Sequence, residues 1–267
     1  MARIKLGVCL ASLGLPLRRG LEEARRLGLT AVELRVGGEL SPTGLSQTGR
    51  RELRQRLRSH GLELAAVSCP LRFGFDRPER LEERIDHVSQ CLSLSYDLGG
   101  PVVVVQTGRV SAEKDDPRAA FLAESLQALA RHGDRVGAVL ALETGLEAGR
   151  ELAEFLVRFD TGSLAVCYDP ANLLMNGFDP YQSARDLKER LAHAHARDAR
   201  SAGASRASME VALGHGDIDW LLLASVLEEV GFHGCLAIAR ETGDNRVADV
   251  ASGAAFLRRL FNLESKP

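Results

Sequence analysis

The sequence lacks a long apolar run, an excess of either charge and any closely paired cysteines. None of its 267 residues falls in an apolar stretch of about 18, so no transmembrane helix is predicted. The 34 basic and 36 acidic residues leave a net charge of −2, whereas nucleic-acid and membrane-surface binders usually carry a basic excess. Only 5% of residues are aromatic, but 45% are hydrophobic and 26% charged, as in ordinary globular proteins. We therefore expect a globular protein that binds neither membranes nor nucleic acid.

The cysteines and the N-terminus show no sign of an oxidising compartment. Five cysteines are present, which is an odd number, and no two have CxxC spacing. Buried, reduced thiols are the expected state. The apolar N-terminal segment is interrupted by Lys5 and lacks a signal-peptide cleavage site, so it is interpreted as a first strand. The protein is accordingly expected to be cytoplasmic.

Eight short runs of apolar and β-branched residues recur along the chain at nearly even spacing. Each has the length of a strand and is continuously apolar rather than alternating, which is typical of strands buried on both faces of a parallel sheet. The runs are residues 4–9, 31–34, 63–68, 102–106, 139–143, 164–169, 191–196 and 235–239.

A longer segment with helical periodicity follows every run. The predicted helices are residues 17–27, 47–60, 78–98, 117–135, 150–159, 180–190, 218–230 and 246–261. Eight successive strand–helix units predict an α/β fold, a single (β/α)8 TIM barrel, as one domain over residues 1–267. The alternative is a doubly wound open sheet. A dinucleotide site in such a sheet needs a glycine-rich turn after the first strand, and residues 9–14 contain no GxGxxG motif.

Polar residues close the predicted strands in the second half of the chain. Glu143 ends the fifth strand, Asp169 ends the sixth, His195 lies near the end of the seventh, and Glu241 follows the eighth. Because the carboxyl ends of the strands meet at one mouth of a barrel, these side chains are expected to converge there. Carboxylate oxygens and an imidazole nitrogen suit a divalent ion such as Mn, Mg, Co or Zn. The pattern therefore predicts a metal site.

Two further residues near the seventh strand are candidates to support His195. His193 lies two residues earlier on the same strand face and is expected in the core beneath it. Asp198 lies three residues later. It either accepts a hydrogen bond that orients His195 or forms a surface salt bridge, and the sequence leaves both interpretations open.

Several motifs, in this order and spacing, give the chain a family resemblance. They are residues 28–34 (GLTAVEL), 141–143 (ALE), 167–172 (CYDPAN), 195–198 (HARD) and 214–220 (GHGDIDW). With them the chain resembles the xylose isomerase-like TIM barrel superfamily, the sugar phosphate isomerase/epimerase group that also contains metal-dependent apurinic endonucleases. The resemblance covers nearly the whole chain.

The resemblance implies a set of metal ligands and catalytic carboxylates. In such proteins Glu, Asp, His and Glu from strands five to eight bind the ion, which implies Glu143, Asp169 and His195 here. The last strand of the family usually ends in Glu, but Ala239 stands at that position. Either Glu241, two residues on and on the same strand face, is the fourth ligand, or the site has only three. Glu143 and Glu241 are also the implied pair that exchanges a proton on the two faces of the substrate.

The resemblance also implies a small sugar or sugar derivative as the partner, contacted by Asn172, Arg197 and His215. Many relatives carry His at the first of these positions, but Asn still hydrogen-bonds a sugar hydroxyl. Arg197 suits a phosphate or carboxylate of the substrate, with a solvated loop arginine as the other interpretation. The segments 72–80 and 200–210 are the longest candidates for loops that cover the site. By analogy with related barrels, a homo-oligomer is expected.

The function that these features imply is a metal-dependent isomerase or epimerase of a small keto-sugar or polyol derivative. It would act by proton transfer through a metal-stabilised enediolate. Two alternatives remain open at this stage: a sugar dehydratase of the same fold and a metal-free sugar-binding barrel without catalysis. An apurinic endonuclease fits less well, because those relatives need several additional histidines and only seven are present.

Overall fold

Eight parallel strands close into a barrel in the computed structural model, which describes residues 4–110, 116–201 and 208–263. Each strand pairs with the next, and the last strand pairs with the first. The barrel strands are β1 (Lys5–Cys9), β2 (Ala31–Arg35), β3 (Glu63–Ser68), β4 (Val102–Val105), β5 (Val139–Glu143), β6 (Leu164–Tyr168), β7 (Leu191–Ala196) and β10 (Cys235–Ile238). The predicted (β/α)8 barrel is confirmed, with strand bounds within one residue of those expected.

Helices surround the barrel and connect its strands. Those in the described ranges are α1 (Leu17–Arg26), α2 (Gln47–Ser59), α3 (Leu81–Leu98), α4 (Pro117–Val136), α5 (Gly149–Leu156), α6 (Pro170–Met175), α7 (Pro180–Asp186), α8 (Trp220–Glu229) and α9 (Arg246–Leu260). None of them has the length and apolar character that crossing a bilayer requires. Helix α3 begins three residues later than predicted, because Arg80 has a positive φ of 52° and ends any helical path before it.

Two elements were not predicted. Helix α6 is a short helix that begins almost directly after β6. The side chain of Asp169 caps its N-terminus by accepting a hydrogen bond from the backbone N–H of Asn172. An antiparallel hairpin of β8 (Asp198–Arg200) and β9 (Met209–Val211) follows β7. The two strands contain the first and last residues of the segment 200–210, which was predicted to cover the site. Residues 202–207 of that segment lie outside the described ranges.

The strands divide the core into an outer and an inner layer. Large aliphatic side chains such as Leu140 and Leu142 face the helices, whereas Ala141 between them faces the barrel interior. The interior clusters consist of small residues only, chiefly Ala, Cys and Val. A barrel interior filled in this way leaves room for the polar side chains that end the strands.

A buried carboxyl group joins two loops at the carboxyl ends of the strands. Glu147, in the loop after β5, is 4% exposed, and its Oε2 accepts a hydrogen bond of 3.0 Å from the backbone N–H of Val110. Burial raises the pKa of Glu147 to about 7, which the Val110 hydrogen bond only partly opposes. The folded protein therefore holds this proton more tightly than the unfolded chain does.

We expect Glu147→Gln to stabilise the protein on the alkaline side of pH 7 but not on the acid side of pH 4.5. The stability that the neutral carboxyl contributes is present below its ordinary pKa of 4.5 and is lost as the pH rises through about 7. The unfolding free energy of the variant minus that of the wild type should be about 3 kcal/mol larger above pH 7 than below pH 4.5. Urea unfolding measures this difference, with Glu154→Gln, on the exposed face of α5, as the control. A difference that does not change with pH would contradict the assignment.

Candidate active site

A cavity of about 390 Å³ opens at the carboxyl-terminal mouth of the barrel. Its volume lies within the range of about 300–1,000 Å³ typical of small-molecule sites. Side chains from the ends of most of the strands line it, and they include every metal-ligand candidate from the sequence. This is the face on which barrel enzymes carry their catalytic groups.

Glu143, Asp169 and His195 converge at the base of this cavity. The Nδ1 atom of His195 lies 3.3 Å from Oδ2 of Asp169 and 3.5 Å from Oε1 of Glu143. Asp169 is fully buried and His195 is 6% exposed. Glu143 ends β5, Asp169 directly follows β6, and His195 is the next-to-last residue of β7. All three continue the inward-facing alternation of their strands.

Glu33, in the middle of β2, contacts the other side of the His195 ring. Its Oε2 lies 2.9 Å from Nε2 of His195 and 3.0 Å from Nε2 of His193, and all three groups are buried. Burial opposes ionisation of Glu33, but the two histidines outweigh it and hold the pKa of this carboxyl well below its usual value. An ionised Glu33 accepts hydrogen bonds from both Nε2–H groups. It thereby leaves the Nδ1 lone pair of a neutral His195 facing Asp169 and Glu143.

This donor set fits a divalent ion. Two carboxylate oxygens and one imidazole nitrogen are the ligand types that Mn, Mg, Co and Zn accept, and ligands bound at about 2.1 Å lie about 3 Å apart, close to the distances here. A carboxylate that fixes the far nitrogen of a histidine ligand is the usual support of such sites. Burial lowers the pKa of His195, but the neighbouring Cys167, Cys9, Glu33 and Asp169 together raise it well above its ordinary value. A proton and a metal ion therefore compete for Nδ1.

Asn172 and Arg197 join the carboxylates at the base of the cavity. The side-chain amide of Asn172 donates a 3.2 Å hydrogen bond to Glu143 Oε1, and its carbonyl oxygen accepts one of 2.8 Å from Arg197. The Arg197 guanidinium also lies 3.5 Å from Asp169 Oδ2 and 3.2 Å from Glu241 Oε2. It is 8% exposed, so it is a buried cation shared among several carboxylates rather than a solvated loop arginine.

Glu241 does not join the group that converges on His195. It lines the cavity, but its side chain is 66% exposed and its carboxylate pairs with Arg197. Strand β10 ends at Ile238, and the carboxylate of Glu210 binds the backbone N–H of Glu241 at 2.9 Å. Among the described residues, Glu143, Asp169 and His195 form a group whose donor atoms could bind one metal ion, and Glu241 does not belong to it. Ala239, the inward-facing position of this strand, offers only a methyl group.

Two other expected contacts differ in the structure. Asp198 does not orient His195. Its carboxylate accepts hydrogen bonds from the backbone of Gly214 and Gly216 and from the indole N–H of Trp220, so it anchors the loop before α8. His215, in that same loop, is exposed and is not among the residues that line the cavity. His193 lies beneath His195 as expected, with the two rings edge-to-face at 5.6 Å.

Four arginines line the cavity, and two of them have no acidic partner. Arg197 pairs with carboxylates as described, and Arg240 pairs with Asp249 at 2.8 Å. By contrast, Arg35 and Arg246 make no ion pair or side-chain hydrogen bond within residues 4–110, 116–201 and 208–263. Arg35 ends β2, and Arg246 begins α9 with its guanidinium against Gly14, a glycine with φ of 64° beyond β1. Both therefore belong to the side of the mouth around β1, away from β5 and β6.

The sequence prediction of the site did not include Glu33, Arg35 or Arg246. Glu33 lies in the GLTAVEL motif as a charged residue within an otherwise apolar run, and that position was the available signal. Its pairing with His193 and His195 bridges more than 150 residues of chain and depends on how the barrel closes. The two arginines carry no motif, and only the closed barrel brings them to one cavity.

Comparison with known proteins identifies relatives of the fold. The sequence profile of a family described as xylose isomerase-like TIM barrel matches residues 21–260. No curated protein matches the chain. Among solved structures, a xylose isomerase domain protein from Planctomyces limnophilus is 24% identical, with a TM-score of 0.87 and 97% of both chains covered.

Two further solved structures carry named activities. An L-ribulose 3-epimerase is 18% identical, with a TM-score of 0.79, and the match covers 98% of this chain and 95% of that one. A probable 3-DHS dehydratase from Bacillus anthracis is 17% identical, with a TM-score of 0.75, 95% of this chain and 98% of that one covered. At these identities the similarity concerns the fold.

Proposed function

The chain belongs to the xylose isomerase-like TIM barrel family, and we propose that it is a metal-dependent isomerase of a small keto-sugar or polyol derivative. The convergence of Glu143, Asp169 and His195 at the mouth of the barrel carries this proposal. The L-ribulose 3-epimerase and the probable 3-DHS dehydratase among its structural neighbours support it, because they share this fold. The cytoplasmic location expected from the five cysteines without close pairing is part of this proposal.

Three side chains would hold the ion: Glu143 through Oε1, Asp169 through Oδ2 and His195 through Nδ1. When bound there, a divalent ion supplies positive charge that stabilises the negative charge developing on the substrate as a proton leaves. With only three protein ligands, an ion held there would have coordination positions left for the substrate, as in catalytic metal sites.

Glu143 is the proposed base. One oxygen of Asp169 caps α6 and the other faces His195 and Arg197, so this carboxylate is fully engaged. Glu143 uses only Oε1 in such contacts, and within the described ranges its Oε2 has no hydrogen-bond partner. The amide of Asn172 holds the Glu143 carboxylate in place and orients it toward the cavity.

A single base favours proton transfer on one face of the substrate. Epimerisation by proton exchange on two faces needs a second acid–base group opposite Glu143, and Ala239 provides none. Glu241 is paired with Arg197 and exposed. Glu143 would instead take the proton from the carbon beside the carbonyl and return it to the neighbouring carbon on the same face, while the hydroxyl proton passes between the two oxygens.

We expect Glu143→Gln to abolish exchange of the substrate's α-proton with solvent, whereas Glu241→Gln retains it. Losing a positioned base typically costs about 10²–10⁴-fold in rate, and losing an exposed partner of Arg197 should cost less than about tenfold. NMR detects deuterium incorporation into a panel of ketopentoses and ketohexoses, with their phosphorylated and carboxylated derivatives, incubated in D₂O with Mn²⁺-loaded protein. Thermal unfolding of both variants controls for folding.

Two outcomes would change this account. Loss of exchange in Glu241→Gln alone would restore the two-face epimerase mechanism. If the wild type exchanges no proton of any panel member while it binds the ion, the proposed isomerase activity is wrong, and a sugar-binding barrel without catalysis takes its place.

Arg35 and Arg246 favour a substrate with an anionic substituent. Their charges face the cavity without an acidic partner among the described residues, and guanidinium groups bind phosphate and carboxylate through paired hydrogen bonds. The second candidate activity is dehydration of a carboxylated substrate. Glu143 would take the proton beside the carbonyl and return it to the departing β-hydroxyl, which leaves as water, so no acid on the second face is needed. Mass spectrometry of the products separates isomerisation from water loss.

Arg35→Gln and Arg246→Gln should each raise KM for a phosphorylated or carboxylated substrate about 10- to 100-fold and leave neutral keto-sugars unaffected. The magnitude corresponds to the loss of a charge-assisted hydrogen bond of about 1.5–3 kcal/mol. Arg51→Gln, an exposed arginine on α2, is the matched control. Equal effects on charged and neutral compounds would rule out an anion contact at these positions.

A further inference from the structure

A second group of metal-binding side chains lies outside the candidate active site. It consists of Cys69, the first residue after β3, with His87 and Cys91 on α3. The two sulfur atoms are 3.4 Å apart, and Nε2 of His87 lies 3.9 Å from Sγ of Cys91. All three donor atoms lie within 4.8 Å of one another. None of these residues belongs to the group formed by Glu143, Asp169 and His195.

We propose that Cys69, His87 and Cys91 form a binding site for a thiophilic divalent ion of the zinc class. Zinc bonds of about 2.3 Å to sulfur and about 2.0–2.1 Å to nitrogen, at tetrahedral angles, separate two sulfurs by about 3.8 Å and a sulfur from a nitrogen by about 3.6 Å. The two measured separations differ from these by a few tenths of an ångström. Small side-chain rotations therefore bring the donors to bonding distance without movement of β3 or α3.

The local structure already holds the donors in position. The backbone N–H of Cys69 bonds the carbonyl of Val104 at 2.9 Å, which extends the barrel pairing past the end of β3. His87 and Cys91 are four residues apart on one helix and therefore share a face. In the described ranges, the only polar contacts of the two thiols are with each other and with His87, so no competing hydrogen bond would have to break.

Charge and burial are consistent with an ion at this site. Two thiolates neutralise a divalent cation, so the loaded site would place no net charge among buried groups. Both cysteines are buried, while His87 is half-buried and reaches solvent. Cys69 also lines the active-site cavity, so the two proposed sites lie on either side of the same strand end.

A disulfide between the two cysteines explains the cluster less well. It would join only the two sulfur atoms, which are 3.4 Å apart, although Nε2 of His87 lies 3.9 Å from Sγ of Cys91. A disulfide would also give His87 no role. A metal ion, by contrast, displaces the thiol protons as it binds and uses all three donors.

An ion here would fasten one wall of the active-site cavity. The segment between Cys69 and α3 includes Pro70 and Leu71, which line the cavity. The bond from Cys69 through the ion to α3 would tie both ends of this segment to regular structure. The inference does not depend on the proposed activity, since it concerns donors that the reaction does not use.

Cobalt substitution tests the site on the intact, reduced and chelator-treated protein. We expect Co²⁺ to produce near-ultraviolet thiolate-to-cobalt absorption at one equivalent per chain, and Zn²⁺ to abolish it by displacement. His87→Ala and Cys91→Ser should lose this absorption. His195→Asn should keep it, because it removes the barrel-mouth ligand and leaves the thiol cluster intact. The wild-type spectrum reports sulfur ligation even if a cysteine variant fails to fold.

Three results would overturn the proposal. The first is a wild-type spectrum without thiolate-to-cobalt absorption. The second is absorption that persists in His87→Ala and Cys91→Ser but disappears in His195→Asn, which would assign the sulfur to Cys167 beside His195. The third is a mass loss of two hydrogens located at Cys69 and Cys91 in protein purified without reductant, which would assign the pair to a disulfide.

Discussion

The hydrogen bonds from His193 and His195 to the single Glu33 carboxylate set the arrangement of the whole site. They fix the Nε2 side of the His195 ring, so that Nδ1 points toward Asp169 and Glu143. A buried carboxylate without such partners would be too costly to keep ionised, and two buried histidines without an acceptor would be equally unfavourable. The carboxylate and the two histidines therefore stabilise one another in the barrel interior. The small Ala and Cys side chains of the barrel interior leave the volume in which they meet.

The charges at the barrel mouth are arranged around Arg197. It contacts Asp169 and Asn172 on one side and Glu241 on the other, while Glu210 holds the backbone of Glu241. This arrangement separates Glu241 from the three converging ligand candidates and leaves Ala239 as the inward residue of its strand. The proposed site therefore has three protein ligands and one base, in contrast to the four-ligand pattern that the sequence resembles.

The sequence predicted the barrel and the three converging residues because both follow from the regular repeat of strands and helices. Eight apolar runs and their helices repeat regularly along the chain. Because the carboxyl ends of barrel strands meet at one mouth, the polar residues Glu143, Asp169 and His195 at those ends are expected to converge. The contacts of Glu241 and Asp198 could not be predicted in this way. They depend on the hairpin β8–β9 and on Glu210 within it, and three-residue strands give too short a pattern to detect. Glu33 was visible as a charged residue in an apolar run, but its two histidine partners lie more than 150 residues away in the sequence.

The binding of Mn²⁺ tests the central claim most directly. Mn²⁺ prefers oxygen and imidazole ligands over thiolates, so it reports the barrel mouth rather than the cysteine cluster. Equilibrium dialysis of chelator-treated protein should find one ion per wild-type chain and none in Asp169→Asn. Glu33→Gln should bind it about 10- to 100-fold more weakly, since it loses only the support of His195. Equal Mn²⁺ binding by the wild type and Asp169→Asn, or no binding by either, would contradict a metal site built on Glu143, Asp169 and His195.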